Sequence, residues 1–262
     1  MGMANADLER RHMVERHIER VHGGALPLLT RRRLVQRTFD SYARYWVEAF
    51  RLPELSAAEL DAHFTHEGLS HIDDALAAGN GAIVALPHLG GWEFGGAWMS
   101  SHGYAITVVV EPLEPPELFR WFLDLRKGLG MRVIALGPSA GAEVVAALRR
   151  NEVVCLLSDR DIGGNGVEVD FFGERTTLPA GPATVALRTG AAILPTAVYF
   201  TDRGGHHGVV RPPLEVMREG GGLRADVARV TQVIADELEQ LIRRAPDQWH
   251  LMQPNWPSDH EV

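Results

Sequence analysis

The sequence predicts an α/β fold: a mainly parallel central sheet covered by helices, with a basic helical N-terminal segment. Three observations carry that expectation. From residue 68 onward, short apolar runs alternate with stretches of helical spacing, the pattern of strand–helix crossovers. Runs such as AIVAL (82–86) and VVCLL (153–157) are apolar at every position, as strands covered on both faces are. Residues 1–50 hold nine Arg against six acids, although the whole chain of 262 residues carries a net charge of −8.

Residues 6–22 and about 30–50 read as helices, the second placing Leu34, Phe39, Tyr42, Trp46 and Phe50 at helical spacing. GLSHIDDALAAGN reads as a helix closed by Gly79, a C′ glycine. GAIVALP is a strand, GWEFGGAWMSSHG a helix, YAITVVV a strand and PPELFRWFLDLRKGLG a helix. MRVIAL is a strand, and SAGAEVVAALRRN a helix with Ser139 as its expected N-cap. EVVCLLS is a buried strand, while GVEVDFF alternates apolar and acidic residues as a half-exposed strand does. GPATVALRTG is a short helix with Pro182 in its first turn and Gly190 at its end. AAILPTAVYF and HGVVRP read as strands, and residues 223–244 as a long helix. His63, His66 and His71 are scattered in a loop-like region. One domain is expected over 1–262, with a helical segment 1–52 packed on an α/β body at 68–257.

Composition narrows the function. At 45% hydrophobic and 23% charged the chain is globular, and its acidity argues against a general nucleic-acid binder. The basic N-terminal segment suggests contact with an anionic membrane surface. No apolar run approaches the roughly 20 residues of a spanning helix. The single cysteine, Cys155, sits in an apolar strand and reads as core. The histidine spacings form no metal-ligand face, and no metal is expected.

The stretch LPHLGGWEFGG (86–96) concentrates chemistry at a strand end, where open α/β folds gather their sites. His88 is a candidate general base, and Glu93, five residues later, a candidate to fix its tautomer. Gly90 and Gly91 leave space beside the imidazole. A rival lies in GPSAG (137–141), a G-x-S-x-G between strand and helix that would make Ser139 a hydrolase nucleophile. Asp202 with His206 or His250 would then complete a triad.

The residues resemble a known family. LPHLGGWE is similar to the H-x4-[DE] motif of the bacterial lipid A lauroyl/myristoyl-type acyltransferases. The block LRRNEVVCLLSDRDIGGNGVEVDFFGERTTLPAGPATVALRTGAAILP resembles their central region, with Asp159-Arg160-Asp161, Phe171-Phe172-Gly173 and Thr189-Gly190-Ala191 in place. PDQWHLMQPNW and SYARYWVEAFRLP look most like the actinobacterial branch that acylates phosphatidylinositol mannosides. The resemblance implies transfer of a long acyl chain, as of palmitate, from acyl-CoA to a sugar hydroxyl of such a glycolipid. It implies a peripheral enzyme at the cytoplasmic membrane face, with no cofactor besides the acyl-CoA co-substrate. His88 would be the base and Glu93 its acidic partner, with Glu168 on the GVEVDFF strand as a second candidate to hold the imidazole. Glu111 stands where the lipid A enzymes carry a basic residue, which favours a mannoside acceptor whose hydroxyls Glu111 would bind. Arg126 would meet a phosphate of the acceptor or pair with an acid, and the Asp159–Arg160–Asp161 run would contact the acceptor, Arg160 through phosphate unless it pairs with its neighbours. Phe94, Trp98 and Trp121 would line a tunnel for the acyl chain.

Overall fold

The computed structural model describes residues 2–112 and 114–260. Two helices open the fold, α1 (Gly2–Val21) and α2 (Leu28–Arg51). A 3₁₀ turn, a short helix α3 (Ala57–Ala62) and an edge strand β1 (Phe64–Glu67) follow, so the loop-like region of His63, His66 and His71 holds an edge strand and the start of the next helix. Helix α3 is set by a capping box, Ser56 and Glu59 each satisfying the other's backbone N–H. Strand β1 is mostly exposed, so its sequence lacks the apolar signature of a core strand.

The expected alternation follows: α4 (Ser70–Ala77), β2 (Ala82–Leu86), α5 (Trp92–Ser101), β3 (Ile106–Val110), α6 (Pro116–Gly128), β4 (Arg132–Ala135), α7 (Ala140–Arg149) and β5 (Val153–Leu157). After the hairpin β6 (Val167–Phe171) and β7 (Glu174–Leu178) come α8 (Gly181–Thr189), β8 (Ala192–Phe200), β9 (His206–Val210) and α9 (Leu223–Arg244). The seven-stranded sheet runs β1-β9-β8-β2-β5-β3-β4, with every pair parallel except β8–β9.

Strand β2 lies in the middle and is buried at all five positions. Ile83 and Ala85 join a core with α7, α8 and α9, while Ala82, Val84 and Leu86 join another with α5 and α6. Covering both faces is why the run carries no polar residue. Val21 of α1 reaches the first of these cores, and Val14, Ile18 and Val35 pack with Met252 in a third cluster. The N-terminal helices therefore share apolar contacts with the sheet body.

Two local expectations change. GVEVDFF is a strand, but it pairs antiparallel with ERTTL in a separate ribbon rather than joining the sheet. Ser139 makes no capping bond, because its backbone is already helical and its hydroxyl donates instead to Glu143 at 2.7 Å. Gly190 does end α8 in the left-handed region, at φ 75°.

Candidate active site

Strands β2 and β5 are parallel neighbours in a register that sets Leu86 opposite Leu157. Two residues beyond each, at the same carboxyl edge, stand His88 and Asp159. The His88 ring Nδ1 lies 2.7 Å from Asp159 Oδ1, and the His88 backbone N–H donates to Asp159 Oδ2 at 2.9 Å. Trp249 adds a third donor, its indole N–H reaching Asp159 Oδ2 at 2.8 Å. Burial by itself raises the Asp159 carboxyl, but the His88 charge and these three bonds outweigh it and hold the group below its ordinary value. Asp159 is thus an anion sealed from water, its side chain fully buried, while the His88 side chain keeps 24% of its surface open. Because Nδ1 faces the carboxylate, Nε2 is the nitrogen left to meet a substrate.

Glu93 does not reach His88. It sits in the first turn of α5, buried, and forms an ion pair with Arg126 of α6, whose Nε donates to Glu93 Oε2 at 3.2 Å. Tyr45 of α2 donates to the same carboxylate at 3.3 Å, and burial together with Glu93 pushes the Tyr45 hydroxyl well above its ordinary value. Arg126 is consumed by this pair and is not presented to a phosphate. Glu168 is further from the expected role. Its side chain is 78% exposed on the ribbon and its nearest cation is Arg175 at 3.8 Å. The alternation of the GVEVDFF strand held, but its polar face looks to solvent.

The remaining polar candidates divide. Arg160, after β5, and Glu111, after β3, meet as a partly open ion pair at 3.3 Å. Asp161 is spent on its own loop, accepting from the Gly164 and Gly166 N–H groups at 3.1 and 2.7 Å and from Thr177 at 2.9 Å. It closes the glycine turn instead of facing a ligand.

The two glycines hold the loop against its neighbours rather than clearing room. Gly90 has φ 62°, and a Cβ there would lie 2.0 Å from the Val198 carbonyl oxygen. Its N–H and that of Gly91 donate to Gln248 and Val198 carbonyls, both at 2.9 Å. Among the described residues, the backbone N–H groups without such partners at this corner are those of Trp92, Glu93 and Phe94, the first turn of α5.

Beside the loop an apolar cavity of about 820 Å³, counting its open mouth, runs under the sheet face that carries α5 and α6. Leu86, Val108, Val110, Leu157 and Val198 line it from the strands, and Trp92, Trp98, Met99 and Met131 from the cover. Trp92 separates it from His88, the two rings meeting edge-to-face at 5.7 Å. Of the three aromatic residues expected on this wall, only Trp98 lines it. Phe94 stacks on His206 at 3.8 Å, and Trp121 packs on Phe50 at 4.8 Å. Cys155 faces the cavity with its thiol pushed up to about 12 by burial, so it stays protonated and unreactive.

The rival nucleophile has no base. The Ser139 hydroxyl bonds Glu143, His206 bonds Glu48 at 2.8 Å, and His250 bonds Ser41 at 2.8 Å. His250 is itself held neutral, pushed down to about 3 by burial and by the nearby His88 charge. Among the described residues no three His, Cys, Asp or Glu side chains converge as a metal site would, and no helix is long and apolar enough to cross a membrane.

Comparison with known proteins supplies the family. The family described as bacterial lipid A biosynthesis acyltransferase matches residues 2–258. A phosphatidylinositol mannoside acyltransferase of Mycobacterium tuberculosis is 43% identical over 231 residues, 86% of this chain and 71% of the relative. One from Mycolicibacterium smegmatis is 39% identical over 229 residues, covering 86% and 73%. A lipid A biosynthesis acyltransferase of Haemophilus influenzae is 27% identical over 188 residues, covering 70% and 55%. A match across nearly the whole chain, with a buried aspartate behind a strand-end histidine, makes this protein a member of the bacterial lipid A biosynthesis acyltransferase family and an acyltransferase.

Proposed function

We propose that the protein moves a long-chain fatty acyl group, palmitoyl in the first instance, from acyl-CoA to a sugar hydroxyl of a phosphatidylinositol mannoside. The observation that carries the chemistry is the His88–Asp159 pair at the sheet edge beside an apolar cavity. The relatives named for phosphatidylinositol mannoside support the acceptor. In this reading His88 Nε2 takes the proton of the acceptor hydroxyl as its oxygen attacks the thioester carbonyl. Asp159 stabilises the imidazolium that forms. Collapse of the tetrahedral intermediate expels CoA thiolate, which recovers the proton from His88, so no acyl-enzyme is needed. A positioned base contributes roughly 10²–10⁴-fold in rate. The N–H groups of the first turn of α5 are the donors available to the oxyanion. The acyl chain lies in the cavity, gaining about 0.8 kcal/mol per buried CH₂, and the Glu111–Arg160 pair offers a carboxylate and a guanidinium to the acceptor headgroup.

The enzyme works from the membrane surface in this reading, as the acceptor requires, and on its cytoplasmic face, where acyl-CoA is found. Helix α2 exposes Leu28 and Leu29 one turn before Arg32 and Arg33, an apolar edge flanked by cations. Arg31 is not part of that set, since it bonds Glu19 at 2.9 Å.

Thiol release from palmitoyl-CoA, with and without a phosphatidylinositol mannoside, tests the reading. Release that depends on acceptor and vanishes in His88→Ala supports it. Acceptor-independent release that survives His88→Ala and disappears in Ser139→Ala would replace it with a hydrolase. Stoichiometric lipid binding without turnover would replace it with a carrier.

A further inference from the structure

The base and its acid do not stand alone. A strap of residues 248–256 crosses behind them. The Leu89 and Trp249 backbones form an antiparallel bridge, and the His250 N–H donates to the His88 carbonyl at 2.7 Å. The Asn255 side-chain amide donates to the Asp159 carbonyl at 3.1 Å. Asp259 ties the strap's far end to α1, its carboxylate meeting Arg16 at 3.1 Å and Arg20 at 3.0 Å. From this strap the Trp249 indole reaches the carboxylate of the dyad itself, at Asp159 Oδ2.

We propose that Trp249 is a positioning residue for acyl transfer, its indole N–H fixing the Asp159 carboxylate in the plane that presents Oδ1 to His88. The inference rests on the general-base reading above. The geometry is specific. Oδ1 faces the imidazole, while Oδ2 is held from two sides, by the His88 backbone and by the indole. The ring has little freedom of its own. Trp249 is buried, with His17 at 5.5 Å, Phe172 at 5.6 Å and Phe171 at 6.2 Å around it. A donor locked in this way restrains the carboxylate without touching the substrate. Removing it lets the carboxylate turn about its Cβ–Cγ bond, and the imidazole is then held by one wandering partner. The ionisable groups facing Asp159 are His88 across the strand gap and His250 on the strap, which stays neutral. The charged pair nearby, Arg160–Glu111, lies on the neighbouring strand ends and bonds within itself.

The test is Trp249→Phe, which keeps an aromatic ring and deletes the donor. A second variant replaces Trp249 by 3-benzothienylalanine, whose sulfur sits where the N–H was within the same ring outline. If Trp249→Phe does not fold, this second variant answers the question. Acceptor-dependent release of thiol from palmitoyl-CoA is followed against pH. The expected result is a kcat about tenfold lower or more, the scale of losing one hydrogen bond to a charged group, with KM for palmitoyl-CoA little changed. The acid limb of the kcat/KM profile moves to higher pH, because a carboxylate stripped of a donor holds its proton more readily. On an Asp159→Asn background the same change adds little, since the restraint no longer has a carboxylate to act on. An unchanged kcat and an unmoved limb in a folded variant would overturn the assignment, as would effects that multiply in full with Asp159→Asn. His88→Ala is run alongside. Activity retained there overturns the base reading itself, whereas a dead His88→Ala with a wild-type-like donor-free variant removes only the role of Trp249.

Discussion

Glu93 gives its carboxylate to Arg126, not to the histidine five residues before it. Both side chains are almost wholly buried beside the apolar cavity. A buried ion that loses its partner is costly, typically by about 3–5 kcal/mol, whereas removing both is far cheaper. Glu93→Gln is therefore expected to lower stability by about 3 kcal/mol. Glu93→Gln with Arg126→Met is expected to recover most of it. Denaturant unfolding of the three proteins checks this, and a single variant as stable as wild type would contradict it.

Asp159→Asn has a different signature. The amide keeps the shape of the carboxylate but not its charge, and its NH₂ competes for the His88 ring. The fold is expected to survive while kcat falls by about 10²–10⁴-fold, the scale of losing an oriented base. Steady-state kinetics on palmitoyl-CoA and acceptor, beside a melting curve, separate this from the Glu93 case.

His250 makes stability depend on pH in a stated window. Burial pushes it down to about 3 from its ordinary 6.5, so between those values the unfolded chain binds a proton that the folded one refuses. Stability therefore falls as pH falls through that window, by up to about 1.4 kcal/mol per unit from this group. His250→Gln is expected to flatten the slope of melting temperature between about pH 6 and about pH 4. Asp159 is also held low, but for a carboxyl that stabilises the fold: its contribution is present above the unfolded carboxylate value and is lost as pH falls through the folded one.

Membrane binding is expected to follow the exposed end of α2. Each cation near an anionic surface is worth about 1 kcal/mol. Neutralising Arg32 and Arg33 together should weaken binding to phosphatidylinositol-containing vesicles about 10- to 30-fold. Leu28→Ser with Leu29→Ser should weaken it on neutral vesicles too. Arg31→Ala should do less, because its guanidinium already serves Glu19. Vesicle sedimentation at low and high salt reads all three, and equal binding to neutral and anionic lipid by wild type would count against the reading.

The cavity sets a last expectation. Val108 lines it from β3, midway along that strand. Val108→Phe is expected to shift the preferred donor to a shorter acyl-CoA without lowering kcat on that shorter chain. A panel of acyl-CoA lengths gives the answer, and an unchanged length optimum would show that the chain lies elsewhere.

His88 was legible from the sequence because an uninterrupted apolar run ends one residue before Pro87, and a strand end is where such folds place chemistry. Its partner was visible as a residue but not as a partner. Asp159 stands two residues past a second apolar run, and only the strand order, with β2 beside β5 in the Leu86–Leu157 register, brings the two level. Local spacing pointed to Glu93, but a helix turns each successive side chain by about 100°, and this one turns toward α6. Glu168 failed for a tertiary reason, since its ribbon stands apart from the sheet. Trp249 lay in a segment that carried the resemblance, but its meeting with Asp159 left no local signal, because it spans 90 residues. The parallel sheet and the long amphipathic helices were readable because their periodicity is local; β1 and α3 were not, being short and largely exposed.

The strap also sets the order in which the enzyme comes into being. Histidine and aspartate leave the ribosome long before the indole that steadies them, and contacts so distant in sequence close late in folding. A stop codon between residues 160 and 248 therefore yields a chain that contains both His88 and Asp159 but lacks the indole behind them.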